Sequence, residues 1–204
     1  MIYYTPPINE AIKDRISAWH LGCITTPDQG NIVFYDEWDM IADNGCFSGK
    51  WTHDKWFNWL IAMPRQVRFA TAPDVFDPDG GACHAPTVER WNYYAPIMRR
   101  HGFTPAFVCQ VGATYGTIPD DAEVLFLGGT TEWKLGEVAE AITRRAVVDG
   151  RWVHCGRVNS LKRMRLMDSW GVSSCDGTFL KYGPDKNLPQ LLRWLDQING
   201  TSHA

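Results

Sequence analysis

The sequence predicts an α/β protein in which a parallel sheet closes into a compact, TIM-like (β/α)8 barrel. Three observations lead there. Over the later two-thirds, short apolar runs alternate with amphipathic stretches through short connections, the pattern of parallel strands joined by crossover helices. One run, residues 122–127, is almost wholly apolar, as a strand buried on both faces must be. About eight strands fit into 204 residues, which sits at the ~200-residue lower end for such barrels. An open doubly wound sheet is the alternative architecture. No GxGxxG follows a strand, and there is no P-loop, internal repeat or low-complexity tract, so residues 1–204 read as one domain.

Each element has its own signal. Residues 1–15, polar and containing Pro6 and Pro7, read as a surface lead-in, with strands following at 19–25 and 31–35. Residues 40–47 read as a strand closing in a glycine turn. Residues 52–63 carry Trp56, Trp59, Leu60 and Met63 at helical spacing behind a Thr52 cap. A strand at 67–75 leads into the loop 76–81. The helix at 87–100 has Pro86 near its start and Gly102 past its end. Strands at 105–111 and 122–127 are followed by Gly128-Gly129-Thr130 and a helix at 131–148. The remainder reads as strand 152–156, helix 160–170, strand 172–176 and an amphipathic helix at 188–198.

Composition narrows the function. Hydrophobic residues at 45% and aromatics at 13% supply a sizeable core and argue against disorder. A formal charge of −3 gives no global attraction to nucleic acid. Between Arg144 and Arg165, however, seven basic residues (Arg144, Arg145, Arg151, Arg157, Lys162, Arg163, Arg165) face one acid, Asp149; this is a phosphate-tracking stripe or a solvated helix face with equal weight. The six cysteines are scattered without CxxC spacing, so they read as small buried hydrophobes in a reducing compartment, with no metal site. No signal peptide and no membrane-length apolar run is seen, and a soluble cytoplasmic protein is expected.

Barrels and open α/β sheets place chemistry at strand carboxy-termini. Asp43, Asp77, Gln110, Gly128, Gly129, His154 and Asp176 all fall there. Chemistry at a sugar's anomeric carbon uses two carboxylates, a role open to Asp43 and Asp176. The bland reading of Asp176 is an Asp-Gly turn, and that of Gly128-Gly129 a tight strand–loop turn. His154 on an apolar strand reads as a satisfied core histidine. No Ser-His-Asp order or GxSxG elbow supports an esterase.

Several segments are similar, in order, to the tRNA-guanine transglycosylase family. Ile41-Ala42-Asp43-Asn44-Gly45-Cys46-Phe47 resembles its strand-Asp-Ser-Gly-Gly-aromatic motif, and 72–77 (Ala-Pro-Asp-Val-Phe-Asp) its segment leading to a base-reading Asp. Leu127-Gly128-Gly129-Thr130 resembles its base-binding loop. His154-Cys155-Gly156-Arg157-Val158-Asn159, then Gly171-Val172 and Cys175-Asp176, resemble its closing strand–helix–strand. The matches run over about residues 30–187, and the segment 128–134 is most like the phage and bacterial branch that exchanges guanine in DNA for a 7-deazaguanine.

The resemblance implies that Asp176 is the nucleophile and Asp43 the general acid/base. Phe47 would stack on the base, Asp77 (or Asp79) and Gln110 would read its edge, and Gly129, beside Gly128 in the base-binding loop, would offer a backbone donor. Arg157, Lys162, Arg163 and Arg165, none of them at a family catalytic position, are by their charge natural phosphate holders. Expected partners are DNA, or tRNA, and a free deazaguanine base, with no cofactor and no membrane, in the host cytoplasm if phage-encoded; accessory proteins that open the duplex are compatible. The chain departs from the family in lacking the Cys-x-Cys-x-x-Cys…His zinc subdomain, and in carrying Asn44 and Cys46 where Ser and a second Gly are usual. A hydrolytic glycosylase and a non-catalytic nucleic-acid binder are the alternative functions.

Overall fold

The structure, a computed structural model, describes residues 1–18, 20–29, 36–77, 79 and 81–200. Eight parallel strands close a barrel in chain order: β1 (Ile2–Thr5), β2 (Leu21–Thr25), β3 (Met40–Ala42), β4 (Phe69–Thr71), β5 (Pro105–Cys109), β6 (Val124–Leu127), β7 (Trp152–Cys155) and β8 (Ser174–Asp176). The helices are α1 (Glu10–Lys13), α2 (His53–Ala62), α3 (His84–Arg100), α4 (Thr131–Lys134), α5 (Glu137–Val148), α6 (Leu161–Trp170) and α7 (Pro184–Asn199).

Every strand is sorted by the two-residue period of its side chains. Tyr4, Ile24, Ile41, Phe69, Ala106, Val108, Val124 and Phe126 form one cluster, the barrel interior. Their neighbours Tyr3, Cys23, Met40, Ala70, Phe107, Leu125, Val153 and Cys175 belong to a second cluster, between strands and helices. Both faces of the strands are therefore largely buried, which is why strands such as Val124–Leu127 read as unbroken apolar runs. All six cysteines are unpaired and buried, and burial pushes the Cys23 and Cys155 thiols up to about 12, so they behave as small apolar groups. Gly22 is required by packing: a Cβ there would lie 2.3 Å from the Tyr4 ring, which fills the interior beside it.

Two sequence expectations need correction. Residues 1–15 are not a surface lead-in, because Ile2–Thr5 is β1, hydrogen-bonded to β2 on one side and β8 on the other. The Ile-Tyr-Tyr-Thr run is β-branched and aromatic, as strands favour, and Pro6-Pro7 ends it rather than marking the whole segment as loop. The helix expected at 131–148 is two, since Gly136 interrupts it and serves as the N-cap of α5. The strand expected at 31–35 lies outside the described residues. Thr52 and Ser160 cap α2 and α6 with their side chains, as the sequence predicts for Thr52. Between β5 and β6 the described crossover carries only a single 3-10 turn, Tyr115–Thr117, one reason the barrel fits a short chain.

Candidate active site

The loops after β3, β4, β6 and β7, with the last residue of β8, surround a cleft at the carboxy-terminal end of the barrel. Among its lining residues are Asp43, Asp74, Asp176, Thr71, Phe47, Phe76, Phe126, Gly128, Gly129, Gly156 and Arg157. Strand carboxy-termini converge there because each crossover must leave the barrel at that end, so short strands deliver side chains from distant sequence to one place.

Asp176 ends β8 and is held by two neighbours on β7 and its loop. Its Oδ2 lies 3.0 Å from His154 Nε2, and its Oδ1 accepts the Arg157 backbone N–H at 3.2 Å. That N–H points at Asp176 because Arg157 adopts a left-handed backbone, φ 62°, uncommon for a residue with a side chain. Gly156 precedes it for a steric reason: a Cβ there would sit 2.9 Å from Phe126 and 3.3 Å from Asp176 Oδ2, inside the cleft.

Asp43 follows β3, its backbone tied to Thr25 O at 2.8 Å. Burial, reinforced by the charges of Asp176 and Asp74, raises its pKa to about 7, while N–H groups of Gly45 and Asn44 pull weakly the other way. Asp74 is also raised by burial and is tied down by Asn44, whose Nδ2 donates to Asp74 Oδ1 at 3.0 Å and to Ala72 O at 2.7 Å. The Asn44 Oδ1 accepts the Cys46 N–H at 2.7 Å. Asn44 thus staples the β3 loop to the β4 loop.

The mouth is aromatic and cationic. Phe47 is 56% exposed, an unusual state for a phenyl ring, and packs on Phe76 with centroids 4.6 Å apart. The Arg157 guanidinium lies 4.5 Å over the Phe47 ring and donates to the Gly129 carbonyl, bridging three loops. Gly129 has φ 64°, which lets the β6 loop turn back under Trp133 and Gln110. Behind the cleft the fully buried Lys134 donates to the Gly156 carbonyl, and burial lowers its pKa to about 8.

Of the residues singled out from sequence, Asp43, Asp176, Phe47, Gly128, Gly129 and Arg157 line the cleft. Asp77 and Gln110 do not. Asp77 instead organises its own loop, Oδ1 accepting from the Asp79 N–H at 2.9 Å and Oδ2 from the Gly81 N–H at 3.1 Å. Gln110 is buried and its amide ties Val75 O and Thr87 Oγ1, joining the β4 loop to α3. The acid that reaches the cleft from this region is Asp74, three residues before Asp77. Lys162 and Arg163 lie in the first turn of α6, and Arg165 donates to Gln197 Oε1 at 3.0 Å. Asp74, Thr71, Phe76 and Phe126 were not anticipated in the cleft, nor was the contact of His154 with Asp176. Thr71 and Phe126 lie on inward strand positions that alternation could have shown. Asp74 lies in the Pro-Asp segment but gave no periodic signal.

Fold and site together define a TIM-like barrel whose carboxy-terminal cleft joins three aspartates to an aromatic mouth. No family model and no curated protein matches the chain. Solved structures match it in fold. Tryptophan synthase from M. tuberculosis in its aminoacrylate- and BRD0059-bound form aligns with a TM-score of 0.58 at 11% identity, over 98% of this chain and 90% of that one. Its open form with BRD0059 bound gives 0.55 at 13% identity over the same shares. The Amycolatopsis orientalis BexX/CysO complex gives 0.54 at 14% identity, over 100% of this chain and 92% of that one. At these identities the likeness shows the barrel fold alone. Among the described residues no helix is long and apolar enough to cross a membrane, and no group of three or more His, Cys, Asp or Glu side chains is placed to hold a metal.

Proposed function

We propose that this chain is a nucleic-acid base-exchange enzyme that replaces guanine in DNA with a 7-deazaguanine derivative through a covalent glycosyl ester on Asp176. The observation that carries the reading is the pairing of two unlike carboxyl groups in one aromatic-mouthed cleft. Asp176 has a nitrogen neighbour for each oxygen, His154 Nε2 and the Arg157 backbone N–H, whereas burial and neighbouring carboxylates raise the Asp43 pKa to about 7. A carboxylate free to attack beside a second carboxyl group that carries the proton is the arrangement that divides nucleophile from acid/base in glycosyl transfer.

The steps balance with these groups alone. An Asp176 oxygen bonds to C1′ as the C1′–N9 bond breaks, and the electron pair leaves on guanine N9, which Asp43 protonates. The incoming base gives its ring N–H proton to the Asp43 carboxylate and attacks C1′ from the face guanine left. The ester C–O bond then breaks and Asp176 recovers its charge. Phe47 and Phe76 offer a face for a planar heterocycle, and glycines at 128 and 129 leave room for its edge. A target inside a duplex has to be flipped out, at a cost of a few kcal/mol.

A radiolabelled guanine-exchange assay on duplex DNA, single-stranded DNA and tRNA, with and without a deazaguanine, tests the reading. Label entering DNA is the expected result. Release of free base without incorporation would make the enzyme a hydrolytic glycosylase, label in tRNA alone would change its substrate, and silence on all three would favour a binding role.

A further inference from the structure

A hydrogen-bonded series runs along the barrel interior beneath the cleft, and its direction is fixed by chemistry. Trp152 Nε1 lies 2.9 Å from Ser174 Oγ, Ser174 Oγ lies 2.9 Å from His154 Nδ1, and His154 Nε2 lies 3.0 Å from Asp176 Oδ2. Ser174 and His154 are fully buried. An indole N–H only donates, so Ser174 Oγ must accept from Trp152. That leaves the single hydroxyl proton of Ser174 for Nδ1 of His154. An Nδ1 that accepts is unprotonated, so the proton of the neutral ring sits on Nε2 and is donated to Asp176.

The opposite tautomer fails on two counts. Ser174 Oγ would accept twice while its own proton had no partner, and the bare Nε2 lone pair would face a carboxylate oxygen across 3.0 Å. An imidazolium, donating from both nitrogens, would orphan the same hydroxyl proton. The rings of Phe126 and Phe69 pack against the imidazole with centroids 4.7 and 5.5 Å away, so a turned ring would have to displace aromatic neighbours.

We propose that His154 is a positioning residue, held as the neutral Nε2–H tautomer by Ser174 and Trp152, that aims the Asp176 carboxylate into the cleft. With the Arg157 N–H on Oδ1 and the imidazole N–H on Oδ2, both oxygens are anchored and the carboxylate does not rotate. In serine hydrolases a buried carboxylate orients the histidine; here a buried hydroxyl orients the histidine and the histidine orients the carboxylate. The catalytic consequence rests on the reading of Asp176 as nucleophile, but the tautomer does not.

The test uses full-length protein labelled with 15N-histidine. Long-range 1H–15N correlation of His154 should give a protonated-type Nε2 and an acceptor-type Nδ1 in the wild type, and Ser174→Ala should shift the ring toward a mixture of tautomers. In the exchange assay, Ser174→Ala should lower kcat ~10–100-fold with KM within about twofold, since a reacting group misplaced by ~1 Å costs about that much. His154→Gln, which keeps an amide N–H on that side, should recover part of the activity that His154→Phe loses. An Nδ1–H tautomer in the wild type overturns the proposal without recourse to any variant; an unchanged spectrum or an unchanged kcat in Ser174→Ala also overturns it. Should the wild type exchange no base while its spectrum shows Nε2–H pinned by Ser174, the base-exchange reading falls and the positioning of Asp176 stands.

Discussion

A carboxylic acid that keeps its proton to about pH 7 in the folded chain releases it near pH 4 once the chain unfolds. Between those values the folded state binds a proton the unfolded state has lost, so Asp43 makes stability fall as pH rises through that window. Above pH 7 the full cost of a buried carboxylate beside Asp176 and Asp74 is present. Asp43→Asn removes it, and should stabilise the protein by on the order of 1–4 kcal/mol at pH 8 while changing little at pH 4. Urea titrations of both proteins at the two pH values check this, and equal stability at pH 8 would remove the electrostatic strain from the account. A gain in stability with a loss of turnover is the signature of a functional residue held against its own preference. At this scale Asp43 and Asp176 were legible as cleft-lining residues because each closes a short strand segment just before a glycine-containing turn. His154 was legible only as a satisfied core histidine, which it is. Its partner being Asp176 depends on β7 and β8 lying side by side, and on no local pattern. Asp77 was misleading for the same reason, since an acid in a loop can serve either its own turn or a cleft.

Strand β1 shows how an element's importance can hide in its length. It is four residues long, yet it forms ladders with both β2 and β8 and so closes the barrel. Deleting residues 1–5 exposes two strand edges and removes Tyr3 and Tyr4, both fully buried, from the two sides of the sheet. Loss of cooperative thermal unfolding is the expected outcome, measured by circular dichroism; a truncated chain that melts as sharply as the parent would show that closure is dispensable. The sequence disguised this strand because Pro6 and Pro7 dominate the local signal. Apolar runs later in the chain, such as Val124–Leu127, were plain because both their faces are buried. The break between α4 and α5 falls at Gly136, where a single weak helix former lets the chain turn, and periodicity spanning both pieces conceals it.

At the scale of the molecule, alternation of strands and helices made the barrel readable, but it did not give the distribution of charge. The basic stripe from Arg144 to Arg165 is divided by the fold. Arg144 and Arg145 lie near the end of α5, at the opposite end of the barrel from the cleft, and pair with Glu140 and Asp149 at 2.8 and 3.1 Å. Lys162 and Arg163 open α6 on the cleft side, since α6 leaves the barrel after β7 ends. Replacing Lys162 and Arg163 together by Gln should therefore weaken DNA binding and flatten its salt dependence by about two units of slope, while the same change at Arg144 and Arg145 does neither. Fluorescence anisotropy across a salt series separates the two pairs, and equal effects would mean that nucleic acid is not held at the cleft end.

The proposed reaction passes through a covalent bond between Asp176 and the sugar. The most direct measurement is to incubate the protein with guanine-containing DNA, denature it and map any nucleic-acid adduct by peptide mass spectrometry, with Asp176→Asn in parallel. A denaturation-stable adduct on the peptide carrying Asp176, lost when deazaguanine is added before denaturation and absent from the variant, is the expected result. Base exchange that proceeds in Asp176→Asn within tenfold of wild type, or an adduct mapped to another residue, would contradict it.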